Sequence, residues 1–173
     1  MRSASGYNRG MRAISDFLSA DHDRLDALFT AACADPDRVD LGPYEEFRRG
    51  LLKHVGMEEL VLFAAARRLT GTAVPLAARA RVEHGALTAL LIPTPTPKLL
   101  AVLRSLLGPH NVMEEEPGGL YAQCEAAVAP EADAVLADLR AARDIPPAPH
   151  VDGPHVLASI NRALSAAGSD ATL

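Results

Sequence analysis

Histidine and glutamate recur on the apolar stripes of this chain, at positions where a helical core ordinarily carries only carbon. Read in the three-four rhythm of packed helices, the first stripe is Leu18, His22, Leu25, Phe29, Ala32. The second is Tyr44, Phe47, Leu51, His54, Glu58, Val61, Ala65. The third is Ala73, Ala77, Ala80, His84, Leu87, Leu91, and the fourth Leu99, Leu103, Leu106, His110, Glu114. Burying an ionisable side chain costs several kcal/mol unless its charge and hydrogen-bonding groups are met. Four imidazoles and two carboxylates at one depth therefore restrict the fold to one that supplies something for them to bind.

The pattern is an internal repeat. His54-Val55-Gly56-Met57-Glu58-Glu59 and His110-Asn111-Val112-Met113-Glu114-Glu115 both read H-x-x-M-E-E. Upstream of each lies an acidic residue, then His, two further positions and Leu: Asp21-His22-Asp23-Arg24-Leu25 and Glu83-His84-Gly85-Ala86-Leu87. Residues four apart on a helix differ by roughly 40° in direction and about 6 Å in height. His54 and Glu58 thus project together, as do His110 and Glu114. Two helix hairpins related by approximate two-fold symmetry would bring four imidazoles and two carboxylates to one level. That count suits a pair of metal ions, each taking two His nitrogens, with both carboxylates bridging. One isolated H-x-x-x-E is ordinarily a surface pair or a satisfied core histidine. Two matching copies, each behind its own acidic-His motif, outweigh that explanation.

Composition agrees with a helical core. Of 173 residues, 49 % are hydrophobic but only 4 % aromatic, with no Trp, so Leu, Ala and Val must fill the interior. Helical segments are expected from about Ser19, as N-cap, to Ala34, from Pro43 to Gly71, from Pro75 to the Pro93–Pro97 stretch, and from Pro97 or Lys98 towards Val128. Pro109 predicts a kink or a local widening of the fourth segment, which with Pro117-Gly118-Gly119 soon after Glu114 is expected to be bent or broken while keeping its direction. A shorter pattern covers Pro130 to Arg143. Short connections between these segments imply an antiparallel bundle. The chain divides into a loose terminus (1–10), a bundle (11–145), and a Pro-rich linker with a C-terminal arm (146–173). In the arm Val156, Leu157, Ile160 and Leu164 repeat at helical spacing, suited to docking on this or another subunit.

The net charge of −5 gives no electrostatic reason to bind nucleic acid or an anionic membrane. No apolar run reaches the 18 or so residues of a bilayer span, and the first residues lack the apolar stretch of a secretion signal. Cys33 and Cys124 are too few for a disulfide framework and suit a reducing cytoplasm. Secreted, membrane-spanning, collagen-like and disordered classes are set aside.

The order H…H-x-x-x-E…H…H-x-x-x-E, over about residues 13–128, resembles the hemerythrin-like family, also called the HHE cation-binding domain. The resemblance implies an all-α, up-down-up-down four-helix bundle holding two iron ions with an oxo or hydroxo bridge. The implied ligands are His22, His54, Glu58, His84, His110 and Glu114. Iron comes from the resemblance; the donor set alone would also accept zinc, manganese or cobalt. One departure is Ala80, which stands where the oxygen-carrying members have a further histidine. That favours reaction with a small oxidant (dioxygen, nitric oxide or peroxide), its sensing, or iron handling, over reversible carriage.

Two other readings stand beside this one. An oxidase or peroxidase-like enzyme would need a pocket beside the metals, expected at Ala73, Ala77 and Ala80. A protein-interaction module with a structural metal would use the arm, residues 154–166. The chain is expected to be a monomer or homodimer. Asp26, one turn after His22, offers either a third carboxylate or a surface position. Tyr121 and Cys124 fall on the core side of the last stripe, which runs Glu114, Pro117, Tyr121, Cys124, Val128, and Tyr121 is either a donor near the metals or ordinary packing. Glu59, Glu115 and Glu116 point sideways; Met57 and Met113 read as core filling; His150 and His155 read as exposed.

Overall fold

The computed structural model describes residues 12–173. The terminal segment expected to be loose, 1–10, lies outside the described residues. Every regular element among those described is helical. Helix α1 spans Ala13–Ala32; α2 spans Leu41–Gly56 and continues through a π-helical turn, Met57–Leu62, into α3, Phe63–Thr70. Helix α4 covers Ala77–Ala89, α5 Pro97–Glu115 and α6 Leu120–Val128. A 3-10 turn at Ala129–Glu131 leads into α7, Ala132–Arg140, and the chain closes with α8, Pro154–Ala166.

Local chemistry sets several of these ends. Asp40 caps α2 by accepting from the Gly42 N–H at 3.0 Å, so that helix begins two residues before the expected Pro43. Thr96 accepts from the Leu99 N–H at 3.2 Å, and Pro97 follows as a first-turn residue, as the sequence suggests. Gly71 ends α3 with φ 76°, a left-handed conformation that glycine adopts without cost. Ser19, by contrast, is not a cap. Helix α1 starts at Ala13, and its first amides are met from across the fold: Glu125 Oε1 accepts from Ile14 N at 2.9 Å and Ser15 N at 3.1 Å. A carboxylate at a helix N-terminus also complements the positive end of the helix dipole.

Further expectations are corrected along the helices. Helix α5 passes through Pro109 as α-helix, so the widening expected there is absent, and the fourth segment breaks at Glu116–Gly119, where Gly118 takes φ 82°. The wider turn lies in the other half, at Met57–Leu62. It shifts the stripe by one residue, so that Leu62 and Ala66 are fully buried while Val61 is only half-buried. On α4 the stripe begins at Ala77, because Ala73 precedes the helix and is exposed; Val74 takes the buried position. Pro117, in the interruption, is exposed, whereas Tyr121, Cys124 and Val128 are buried.

The core has two apolar parts. One gathers Ile14, Leu18, Met57, Leu62, Phe63, Met113, Leu120, Tyr121 and Val135. The other gathers Leu25, Phe29, Phe47, Leu51, Leu87, Leu103 and Leu106. On α1 the boundary falls between Leu18 and Leu25, and on α5 between Leu106 and Met113. Those intervals hold His22 and His110. A polar layer thus divides the interior at one depth.

The C-terminal arm is seated on its own chain. Val156, Ile160 and Leu164 are buried in the second apolar part, with α8 packed against α4; Leu157 is exposed. Buried Arg48 straps the linker down, donating from Nε to the Leu91 carbonyl at 2.9 Å and from Nη2 to the Ala148 carbonyl at 2.6 Å. His150, expected to be exposed, is half-buried and hydrogen-bonded to Glu45 at 2.9 Å; His155 is exposed. Ile160→Ala is expected to lower unfolding free energy by about 2–5 kcal/mol, since a fully buried aliphatic side chain leaves a cavity. A urea transition unmoved by this substitution would mean that the arm is not part of the core.

Candidate metal centre

All six residues singled out from the stripes meet in the polar layer. His22, His54, His84 and His110 are 7 %, 2 %, 1 % and 3 % exposed, and Glu58 and Glu114 are 0 %. They form two overlapping groups, His22, His54, Glu58, Glu114 and Glu58, His84, His110, Glu114. In each, one ligand atom per residue lies within 4.8 Å of every other, a spacing that could hold a metal ion. Both carboxylates belong to both groups. Glu58 Oε1 lies 3.3 Å from His54 Nε2 and its Oε2 3.1 Å from His84 Nε2. Glu114 Oε2 lies 3.4 Å from His22 Nε2 and its Oε1 3.2 Å from His110 Nε2.

The outward nitrogens explain the rest of the repeat. His54 Nδ1 meets Asp21 at 2.9 Å, and His110 Nδ1 meets Glu83 at 2.7 Å. His84 Nδ1 meets Glu59 at 2.9 Å, and His22 Nδ1 meets Glu115. The acidic residue before each first histidine therefore serves its own hairpin, and the second Glu of each H-x-x-M-E-E serves the other hairpin. The two-fold relation between the halves extends to these four carboxylates. Glu59 and Glu115 do point sideways, but to imidazoles; Glu116 is exposed. Asp21 and Glu83 were legible as repeated acids without an assigned role. Their burial alone would raise both carboxyls. The His54 and Arg24 donors more than offset this for Asp21, and the His110 and Arg79 donors for Glu83, so both sit below the ordinary range.

An ionised carboxylate only accepts hydrogen bonds, so each Nδ1 carries the proton and each Nε2 presents a lone pair inward. Four imidazole lone pairs then face four carboxylate oxygens. Glu58 Oε2, His84 Nε2 and Glu114 Oε1 lack any hydrogen-bond partner despite their burial. A buried shell made almost wholly of acceptors is tolerable only with cations inside it, either protons or metal ions. Without metal, protons answer the same demand. Burial would draw the His54 ring down, yet the Glu58 charge and the Asp21 hydrogen bond carry it up to about 10. His84 is likewise opposed by burial and pushed up to about 10 by Glu114, Glu58 and Glu59. Glu58, for all its burial, is held well below the ordinary carboxylate range by His54 and His84. His22 alone moves down, through burial and then the charge on His54.

Among the described residues, one hydroxyl lies within this shell, that of Tyr121, which is in the layer and is not ordinary packing. Its oxygen is 2.7 Å from Glu58 Oε1, 3.2 Å from Glu114 Oε2, 3.1 Å from His22 Nε2 and 3.2 Å from His54 Nε2. Burial, then the charges of Glu58 and Glu114, push the phenol well above its ordinary value, so the metal-free chain keeps that proton. Asp26 does not join the layer; its carboxylate is largely exposed and faces Arg104 at 3.4 Å. Cys33 and Cys124 are both free thiols. Met57 and Met113, within the repeat, are buried filling, both in the first apolar part.

A cavity of about 90 Å³ reaches the layer between α1, α2 and α5. Its lining runs from His22, His54 and His110 past Leu25, Phe29, Phe47 and Leu51 to Asp26 and Arg104. Ala77 and Ala80, the expected place of an opening, are packed into the core, and Ala73 is exposed ahead of the helix. No helix among the described residues is long and apolar enough to cross a membrane. No protein-family model, curated protein or solved structure matches this chain.

Proposed function

We propose that this chain is a hemerythrin-like protein, an up-down-up-down four-helix bundle that holds two iron ions and binds, senses or reacts with a small oxidant such as dioxygen, nitric oxide or peroxide. The observation that carries the reading is the pair of ligand sets sharing Glu58 and Glu114. Each set offers two imidazole nitrogens, freed of their protons when a cation binds, and two carboxylate oxygens, which leaves coordination positions for water or a diatomic. An iron pair in such a place supplies one-electron and two-electron exchange with oxygen species. The protein's own part is to fix each imidazole through the carboxylate on its Nδ1, and to enclose the layer between apolar cores. These donors would also accept zinc or manganese; iron is what the resemblance to the hemerythrin-like family implies. Free thiols at Cys33 and Cys124 fit a reducing cytoplasm.

The test is purification without chelator, metal analysis per chain, and near-ultraviolet absorption before and after exposure to air. Two irons per chain and charge-transfer absorption that develops in air are expected. One zinc per chain and a featureless spectrum would contradict the reading. A second reading, catalysis on a small organic substrate, is favoured by the apolar cavity that touches His22, His54 and His110. Sustained turnover of a substrate with dioxygen or peroxide would support it.

A further inference from the structure

The two-fold repeat fails at one position in the layer. Tyr121 stands seven residues past Glu114; seven past Glu58 stands Ala65, and the one-residue shift of the wide turn moves that place to Ala66, an alanine in either register. A phenol in one half therefore corresponds to a methyl group in the other. The phenol oxygen lies within hydrogen-bond distance of His22, His54, Glu58 and Glu114, the four residues of the first ligand set. It reaches neither His84 nor His110 by any hydrogen bond, and the orphaned His84 Nε2, Glu58 Oε2 and Glu114 Oε1 lie on that second side.

A hydroxyl has one proton to give, and four acceptors surround this one. The ring has no easy exit. It is 1 % exposed, lies 5.7 Å from the His22 ring in a stacked arrangement, and shares its core with Leu18, Met57 and Cys124. A cation drawn in by His22 and His54 therefore meets the phenol oxygen already at the centre of its ligands. We propose that Tyr121 is a fifth protein ligand of that cation, so that the two metal sites are chemically unlike. Binding breaks the phenol O–H bond, forms a cation–oxygen bond and releases the proton to solvent; no electron is transferred. The site at His84 and His110 keeps only its four donors, which leaves it the more open of the two to a small ligand.

The inference rests on the two-site reading above but fails separately from it. The full chain is loaded with ferric iron and examined by visible absorption and resonance Raman scattering, alongside metal analysis. Wild type is expected to bind two ions and to show a phenolate-to-iron charge-transfer band with tyrosinate ring vibrations. Tyr121→Phe is expected to abolish both signals and to weaken one of the two sites by about tenfold or more. The chain has three tyrosines, so Tyr7→Phe and Tyr44→Phe, which are expected to keep the band, make the assignment even if Tyr121→Phe does not fold. Two bound ions without tyrosinate vibrations would overturn the inference and leave the two-site reading standing. A band that survives in Tyr121→Phe, or disappears in Tyr44→Phe, would overturn it as well. Failure to bind metal would overturn both.

Discussion

Glu58→Ala is expected to empty both metal sites, whereas His22→Ala empties one. Glu58 places Oε1 beside His54 and Oε2 beside His84, so a single side chain serves both ligand sets. His22 serves only the first. Removing the carboxylate also leaves His54 and His84 buried without the charge that best compensates them. Breaking a buried charge pair from one side ordinarily costs about 3–5 kcal/mol. Metal content after equilibrium dialysis and thermal unfolding of the metal-free variants measure the two effects together. Glu58→Ala should fall from two ions per chain to nearly none, with a large drop in melting temperature; His22→Ala should retain one ion. Equal losses in the two variants would mean that Glu58 does not bridge.

Freed of metal, the chain should be most stable near pH 4.5 to 6.5 and should lose several kcal/mol as the pH rises towards 10. The sign follows from the protons. His54 and His84 titrate at 6.5 in the unfolded chain and at about 10 in the fold. Between those values the folded chain holds more protons than the unfolded one, so raising the pH favours unfolding. His110 is shifted upwards too and adds to the trend, while His22, shifted downwards, contributes in the opposite sense in acid. On the acid side Glu58, held well below 4.5, contributes stability that is present above its unfolded value and is lost as the pH falls through its folded one. Metal ions compete with the same protons, so the loaded protein should bind more tightly, not less, as the pH rises from 6.5. Urea midpoints from pH 5 to 10, with and without chelator, check this. A metal-free midpoint that is flat or rises over that range would contradict the proton account.

Much of the site was legible because its residues break a pattern. A histidine within Leu18, Leu25 and Phe29 is visible against its stripe, and the repetition of H-x-x-M-E-E relates the halves before any coordinates. The partners of the Nδ1 atoms were harder to read. Glu115 and Asp21 reach across to helices other than their own, and spacing along one helix carries no information about a neighbouring one. Tyr121 is an ordinary core position by period, and its role depends on where the α5–α6 interruption aims it. Register failed after Met57–Leu62 for a comparable reason. A wider turn adds residues to the helix without changing the letters, so the rhythm from Tyr44 to Glu58 no longer applies at Val61. Ser19 misled because a local cap preference was outweighed by Glu125, a residue more than a hundred positions away.

The arm shows the same limit from another side. Its apolar spacing was plain in the sequence, but the spacing fits docking on this chain or on another equally well. In the structure Val156, Ile160 and Leu164 are buried against α4 of the same chain, and Arg48 ties the preceding linker to the α4–α5 connection by donating to the Ala148 and Leu91 carbonyls.

Crystals equilibrated with ferrous iron and measured at the iron absorption edge test the central claim most directly. Two anomalous peaks per chain are expected in the polar layer, one among His22, His54, Glu58 and Glu114 and the other among His84, His110 and the same two glutamates. A single peak, peaks only at the protein surface, or none at all would contradict the account.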